Sequence, residues 1–283
     1  MFYKLISYLN FKGKGRVANL LWRFFKRPRI LHPNRYPAEV VFYLDPKFRT
    51  DFDLLWFGCL PWLLDDLNFI KTNLSKKKRG GGVIIDVGAN IGLYSLFFSK
   101  GMGARVISFE PVPQIFWKLQ ENIALNNSPI VAEQVALGET NGMVDLWIPS
   151  DLKLNSGHST ITKDKSHLKD DSRSISIKVP VTTIDSYCEK NNLGAISLIK
   201  LDVEGAEGTV LRGARETIRK YSPVVFFEVT QFNQGDFEKT LEDFLYLLPN
   251  YEIYFQDHQN KIPIKVAISS GKIYNGNWLA LRQ

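Results

Sequence analysis

The run Val83-Ile84-Ile85-Asp86-Val87-Gly88-Ala89-Asn90-Ile91-Gly92-Leu93-Tyr94 ends an apolar stretch in a carboxylate, passes through small residues and opens into a helical pattern. Gly88 and Gly92 have no Cβ, so the chain can turn sharply and bring its backbone close to a ligand. Asn90 is among the few other residue types that tolerate positive φ. Three more acids, Glu110, Asp202 and Glu228, end apolar runs farther along. Ligands of open α/β sheets bind outside the carboxyl ends of the strands, so all four acids are expected to face one crevice. Glu110 lies 18 residues beyond Gly92, where a carboxylate accepts hydrogen bonds from ribose hydroxyls. A dinucleotide would require Gly-x-Gly-x-x-Gly to seat a pyrophosphate on the helix N-terminus, and Asn90 stands at the second glycine. S-adenosylmethionine has no phosphate; it presents an ammonium, a carboxylate and a sulfonium. Asp86 offers negative charge to that cation, and the backbone amides of Gly88–Gly92 are expected to face its carboxylate. The indicated chemistry is methyl transfer.

The elements that must hold these residues follow from periodicity. From Val83 the chain alternates strand and helix, the mark of a parallel α/β sheet. Strands are expected at Val83–Val87, Arg105–Phe109, Ile130–Ala136, Ile196–Leu201 and Pro223–Phe227, with helices over Ile91–Lys100, Val112–Asn126, Thr183–Lys190 and from Glu207 to Lys220. A helix over Phe237–Leu248 and closing strands near Tyr251–Phe255 and Trp278–Leu281 complete the pattern. Residues 139–180 interrupt it with β-like pieces, Met143–Ile148 and Ser174–Val179, around a loop holding Asn155-Ser156-Gly157-His158-Ser159-Thr160. Ahead of the domain, Val40–Leu44 reads as a strand, an apolar helix-like stretch runs to Leu74, and Ser75–Gly82 is a solvated connector by composition.

Charge divides the chain of 283 residues in two. Residues 1–80 carry 16 Lys and Arg against 6 Asp and Glu, while residues 81–283 carry 20 against 23, so the net +7 belongs to the front. The division is therefore a basic, aromatic-rich extension (1–80) and a cofactor domain (81–283). Residues 1–30 interleave aromatic and basic side chains and could lie on an anionic membrane surface or pack on the domain. No run approaches the ~20 apolar residues that span a bilayer. Leu54 to Leu64, the most apolar stretch, is broken by Gly58 and Pro61. Without a signal-peptide pattern, and with Cys59 and Cys188 reading as free thiols, the chain is expected in the cytoplasm, at most peripheral to the membrane.

Four motifs in order, Asp86-Val87-Gly88-Ala89-Asn90-Ile91-Gly92, Phe109-Glu110-Pro111, Val181-Thr182-Thr183-Ile184-Asp185 and Ile199-Lys200-Leu201-Asp202-Val203-Glu204-Gly205-Ala206-Glu207, resemble those of FkbM-type S-adenosylmethionine-dependent methyltransferases. The resemblance implies a class I, Rossmann-like fold: a mostly parallel seven-stranded sheet with an antiparallel last strand, here carrying an N-terminal helical extension. It also implies methyl transfer to oxygen, with hydroxyls of sugars and polyketide-type products as acceptors. By position, Gly88, Ala89, Asn90 and Gly92 would line the donor, Asp86 would sit near its methionine end and Glu110 would hold its ribose. Asn126 and Val135-Ala136-Leu137 would flank the adenine, and the Asp202–Gly205 turn would stand beside the methyl.

An alcohol must lose its proton at or after attack, and a positioned base typically contributes ~10²–10⁴-fold. The candidates are Asp202, Glu204, Glu228, Lys200 and His158, with a carboxylate of the 202–204 turn first. Lys200 could orient acceptor or carboxylate, or be a buried lysine paired with Glu228. A cation held by Asp202 and Glu228 with His158 or His258 would also activate a hydroxyl. No compact ligand cluster exists in sequence, and no metal is expected. The leading expectation is an O-methyltransferase acting on a sugar or glycan hydroxyl. The 139–180 insertion would then lie on the acceptor side, with Trp147 a stacking surface or ordinary sheet packing. An RNA substrate would use the basic N-terminus, against which the cofactor domain is not basic. A scaffold without catalysis conflicts with the intact donor motif.

Overall fold

The computed structural model describes residues 29–33, 36–45, 48, 51, 53–54, 60–76, 82–149, 174–229, 244, 246–257, 262–265 and 276–282. Arg29–Leu31 (β1) pairs antiparallel with Phe42–Leu44 (β2), and Pro61–Lys76 forms helix α1. The alternating region then runs Val83–Val87 (β3), Leu93–Leu96 (α2), Arg105–Phe109 (β4), Pro113–Leu125 (α3), Val131–Glu133 (β5) and Ala136–Leu137 (β6). Gly142–Pro149 (β7), Ser174–Thr182 (β8), Ile184–Lys190 (α4), Ile196–Leu201 (β9), Glu207–Arg212 (α5) and Arg215–Tyr221 (α6) follow. Val224–Val229 (β10), Tyr251–Asp257 (β11), Ile262–Lys265 (β12) and Gly276–Arg282 (β13) close the chain.

The main sheet has the order β12-β11-β13-β10-β9-β3-β4-β5. Its β5, β4, β3, β9 and β10 are parallel, and β13 enters antiparallel between β10 and β11. Among the described residues the sheet thus has eight strands where seven were expected; the extra one, β12, hairpins back on β11 at the edge.

Successive residues of a strand point to opposite faces, and the apolar runs use both. Ile84, Val106, Leu198, Val224, Phe226 and Leu279 share one core with α1, α2 and α3. Ile85, Ile107, Ile199, Val225 and Phe227 share the other with α4, α5 and α6. The segment before residue 81 is part of this layering: Phe42, Leu44, Leu63, Leu67 and Ile70 lie in the first core beside Leu96, Phe97 and Phe98. A row of polar side chains on α3 holds it there. Asn126 accepts from the Val41 amide (2.8 Å) and donates to the Val41 carbonyl (2.6 Å), Asn122 accepts from the Tyr43 amide, and Lys118 pairs with buried Asp51. These three residues recur every fourth position and so share one helix face.

Three expected elements break. The strand over 130–136 stops at Glu133, and Ala136 and Leu137 turn away to pair with β8 in a separate three-stranded sheet, β6-β8-β7. The first helix is one α-turn that widens into a π-type turn over Phe97–Gly101. The helix after Glu207 is interrupted at Gly213, where a Cβ would fall 2.0 Å from the Gly138 carbonyl oxygen. Beyond the break α6 restarts on a side chain from elsewhere: the Asp185 carboxylate accepts from the Glu216 and Thr217 amides. The last strands match expectation at their centres, β10 extending to Val229 so that Glu228 lies inside it. Most of 237–248 lies outside the described residues.

Candidate active site

The turn between β3 and α2 sits on the next strand's end. Gly88 has φ +71°, and a Cβ there would lie 1.9 Å from the Asp202 carbonyl oxygen, so no side chain fits. Asn90 (φ 51°) takes the left-handed conformation it was expected to tolerate. Glu110, just past β4, grips the turn from the other side. One carboxylate oxygen accepts from the Asn90 amide and the other from the Val112 amide, each at 3.0 Å. Burial pushes its pKa up to about 7 against these two stabilising bonds.

The amides of the turn do not face outward as expected. Those of Gly88 and Ala89 both donate to the Phe109 carbonyl, that of Ile91 to the Asn90 side chain, and that of Gly92 to the Ala89 carbonyl. With Asn90 bonded to Glu110, every amide from 88 to 92 is already satisfied, because the tight turn folds its donors back on the sheet. Asp86 is likewise turned inward. It is fully buried, accepts from the Ser95 hydroxyl at 2.5 Å and pairs with the Lys200 ammonium at 3.1 Å. Its charge therefore reaches the crevice through Lys200.

Lys200 is the hub. Its ammonium lies 3.1 Å from Asp86 and 3.4 Å from Asp202, donates to the Gly88 carbonyl at 2.9 Å, and stands 4.9 Å from the centre of the Tyr94 ring. Burial alone would lower its pKa, but Asp86 and Asp202 outweigh burial and raise it. Its partners are thus Asp86 and Asp202, not the Glu228 weighed from sequence.

Asp202, Glu204 and Glu228 each bring a carboxylate oxygen to within 4.8 Å of the others. Such a triad can share protons or hold a hard cation. Burial, then the charges of Asp202, Glu228 and Glu207, push Glu204 up to about 9. Burial, then Asp202 and Glu207, bring Glu228 to about 7. Asp202, with its side chain 39% exposed, is paired with the ammonium. Glu204 is held at φ 50° by Glu207, a residue not among the expected site residues, whose carboxylate accepts from the Val203 and Gly205 amides. An acid beside a glycine-containing turn, whose amides need acceptors, was the available signal.

Asn126 does not belong to this site. It caps the far end of α3, thirteen residues long, or about 20 Å from the end near Glu110. Its amide is spent on Val41. Val135 and Ala136 follow β5, whose Glu133 carbonyl accepts from the Glu110 amide. Val135 packs with the second core, and Ala136 is buried in the first. Trp147 lies on β7 opposite Ser176. His158 and His258 lie outside the described residues, as does the loop 155–160.

Asp86 and Asp202 pair with one ammonium here, and Glu110, Glu204, Glu207 and Glu228 stand near enough to Asp202 to feel its charge, a cluster whose ionisation a cationic donor would favour. The strand order, the glycine turn and the strand-end acids define a class I S-adenosylmethionine-dependent methyltransferase. Residues 86–259 match the methyltransferase FkbM domain, and the chain belongs to that family. It is 30% identical over 185 residues to the 2-O-methyltransferase NoeI of Sinorhizobium fredii, covering 62% of this chain and 74% of that one. It is 27% identical over 159 residues to the 31-O-demethyl-FK506 methyltransferase FkbM of Streptomyces tacrolimicus, covering 49% and 61%. It is 27% identical over 143 residues to the hexuronic acid methyltransferase AglP of Haloferax volcanii, covering 50% and 54%. The matched region thus spans little more than half of the last two relatives. Among the described residues no helix is long and apolar enough to cross a membrane.

Proposed function

We propose that the protein transfers a methyl group to a hydroxyl of a sugar or glycan, with Asp202 as the base. The single observation that carries the base assignment is the Asp202–Glu204–Glu228 cluster at the strand ends, in which Asp202 is paired with Lys200. Glu204, raised to about 9, holds its proton at neutrality and Glu228, raised to about 7, is partly protonated there, because burial and neighbouring carboxylates raise both. Asp202 is then the group positioned to take the hydroxyl proton, and the protonated glutamates can donate hydrogen bonds to the sugar. S-adenosylmethionine supplies an activated methyl on a sulfonium. Glu110 would hold its ribose, Gly88, Ala89, Asn90 and Gly92 would line it, and Val135 and Ala136 would flank the adenine. Placing nucleophile, carbon and leaving group in line is worth much of the rate, and the rigid β3 turn packed on Asp202 serves that alignment.

A sugar acceptor is supported by the resemblance to a hexuronic acid methyltransferase, and transfer to oxygen by the resemblance to a 2-O-methyltransferase. The test is S-adenosylhomocysteine formation against a panel of hexuronic acids, neutral glycans and a macrolide alcohol. Turnover on the sugars that falls at least about 100-fold in Asp202→Asn, with donor affinity retained, is the expected result. Turnover confined to the macrolide would overturn the glycan assignment, and unchanged turnover in Asp202→Asn would overturn the base.

A further inference from the structure

The matched family region begins at residue 86, yet helix α1, which precedes it, packs on the sheet's first core and touches Asn277, opposite Glu228, through Asp66. Leu63, Leu67 and Ile70 are buried on one face of α1. Asp66 falls on that same face, three positions from Leu63 and four from Ile70, and is fully buried. A carboxylate on the apolar stripe of a helix is costly unless it is hydrogen-bonded. Here its Oδ2 accepts from the Tyr94 hydroxyl at 2.9 Å and from the Asn277 amide at 2.8 Å.

The two partners flank a polar row of the sheet beneath: Tyr94 covers it from α2, and Asn277 lies opposite Glu228, two residues beyond the Phe226 that is level with Lys200. Strand register aligns Ser108, Asp86 and Lys200 on β4, β3 and β9. Tyr94 lies over this row, its ring 6.0 Å from Phe226 and 4.9 Å from the Lys200 ammonium. Lys200 in turn donates to the Gly88 carbonyl of the donor turn. We propose that Asp66 is a positioning residue of the methyl-donor site: it fixes the Tyr94 ring over Lys200, and so holds Lys200 on the Gly88 turn. The segment ahead of the family domain is then a working part of the active site.

The groups facing Asp66 are Tyr94 from α2, Glu228 from β10, Asn277 from β13 and its neighbour Asp65. Burial pushes Asp66 up to about 8, opposed by the Tyr94 hydrogen bond, reinforced by Glu228 and Asp65, and opposed by Asn277. Its charge therefore changes in a range where donor binding is measurable. The proposal rests on the reading of the Gly88–Gly92 turn as the donor site. It is tested by calorimetric titration of the full chain with S-adenosylmethionine between pH 7 and 9. As Asp66 ionises, added negative charge favours the cationic donor, so wild type should tighten by about threefold more than Asp66→Asn, the size of a half-unit pKa perturbation. In Tyr94→Phe the ring stays but the hydroxyl is lost. The same rise should then move to higher pH, because the ionised carboxylate has one donor fewer. If Asp66→Asn does not fold, Tyr94→Phe alone decides. Profiles of the folded variants that follow wild type between pH 7 and 9 would overturn the proposal, even with lowered melting temperatures. Failure of wild type to bind the donor would strike the donor site itself.

Discussion

At the scale of single residues, Glu110 and Gly88 do the most to shape the turn between β3 and α2. Glu110 joins the turn to the start of α3 by accepting two backbone amides. Glu110→Ala removes both acceptors along with the expected ribose contact, and hydrogen bonds to a charged group are worth about 1.5–3 kcal/mol each. Calorimetry should show S-adenosylmethionine affinity falling at least about tenfold, with a smaller change in the maximal rate. Gly88→Ala combines a left-handed backbone with a Cβ that has no space beside Asp202. Denaturant unfolding should show a loss of about 2–4 kcal/mol. Both residues were legible in the sequence, since an acid at a strand end and a glycine in a turn are local signals. Tyr94 and Asn277 were not. Nothing in their neighbourhoods distinguishes a core tyrosine or a surface asparagine from one that meets Asp66.

At the scale of elements, the face of α3 carrying Lys118, Asn122 and Asn126 explains how the early strand β2 is fastened to the domain. Asn126, which the family resemblance would set beside the adenine, is instead a bracket for Val41, because a helix of that length carries its end away from the sheet's carboxyl edge. Asn126→Ala should lower stability by about 1–3 kcal/mol, read as a shift in denaturant midpoint. Donor affinity should stay within about twofold of wild type, since the hydrogen bonds lost are distant from the turn. A large fall in donor affinity would return Asn126 to the cofactor site. The Val181–Asp185 motif also proves structural: Thr183 caps α4 through the Ser186 amide, and Asp185 caps α6. A capping threonine is visible in sequence. A cap offered to a helix 31 residues away is visible only when the two are packed together.

At the scale of the whole molecule, the crowding of acids couples stability to pH. Glu110, Glu207 and Glu228 lie near 7, Asp66 near 8 and Glu204 near 9, all raised from ordinary carboxylate values chiefly by burial. The folded state therefore binds more protons than the unfolded chain above about pH 4.5, and its stability falls as pH rises through 7 to 9. The melting temperature of the donor-free protein should drop by at least about 5 °C between pH 5 and 9. A cationic donor favours the ionised acids, so added S-adenosylmethionine should raise the melting temperature more at pH 8.5 than at pH 6. A flat or rising melting curve would mean that these acids ionise freely in the fold.

The parallel core strands, the tight glycine turn after β3 and the placing of Glu110, Asp202 and Glu228 at neighbouring strand ends were all local in the chain. Val83–Val87, Arg105–Phe109 and Ile196–Leu201 have the bounds expected from their apolar runs, because burial on both faces leaves a local, continuous signature. Tertiary structure alone decided where regular elements stop and how charges pair. The helix after Glu207 breaks because Gly138 passes against Gly213, and the turn amides are spent because Phe109 and Glu110 lie beside them. Lys200 chose Asp86 over Glu228 through strand register. Asp66 entered the site because α1 packs its apolar stripe on the same face of the sheet. Each of these depends on an atom many residues away, at a separation that only folding closes.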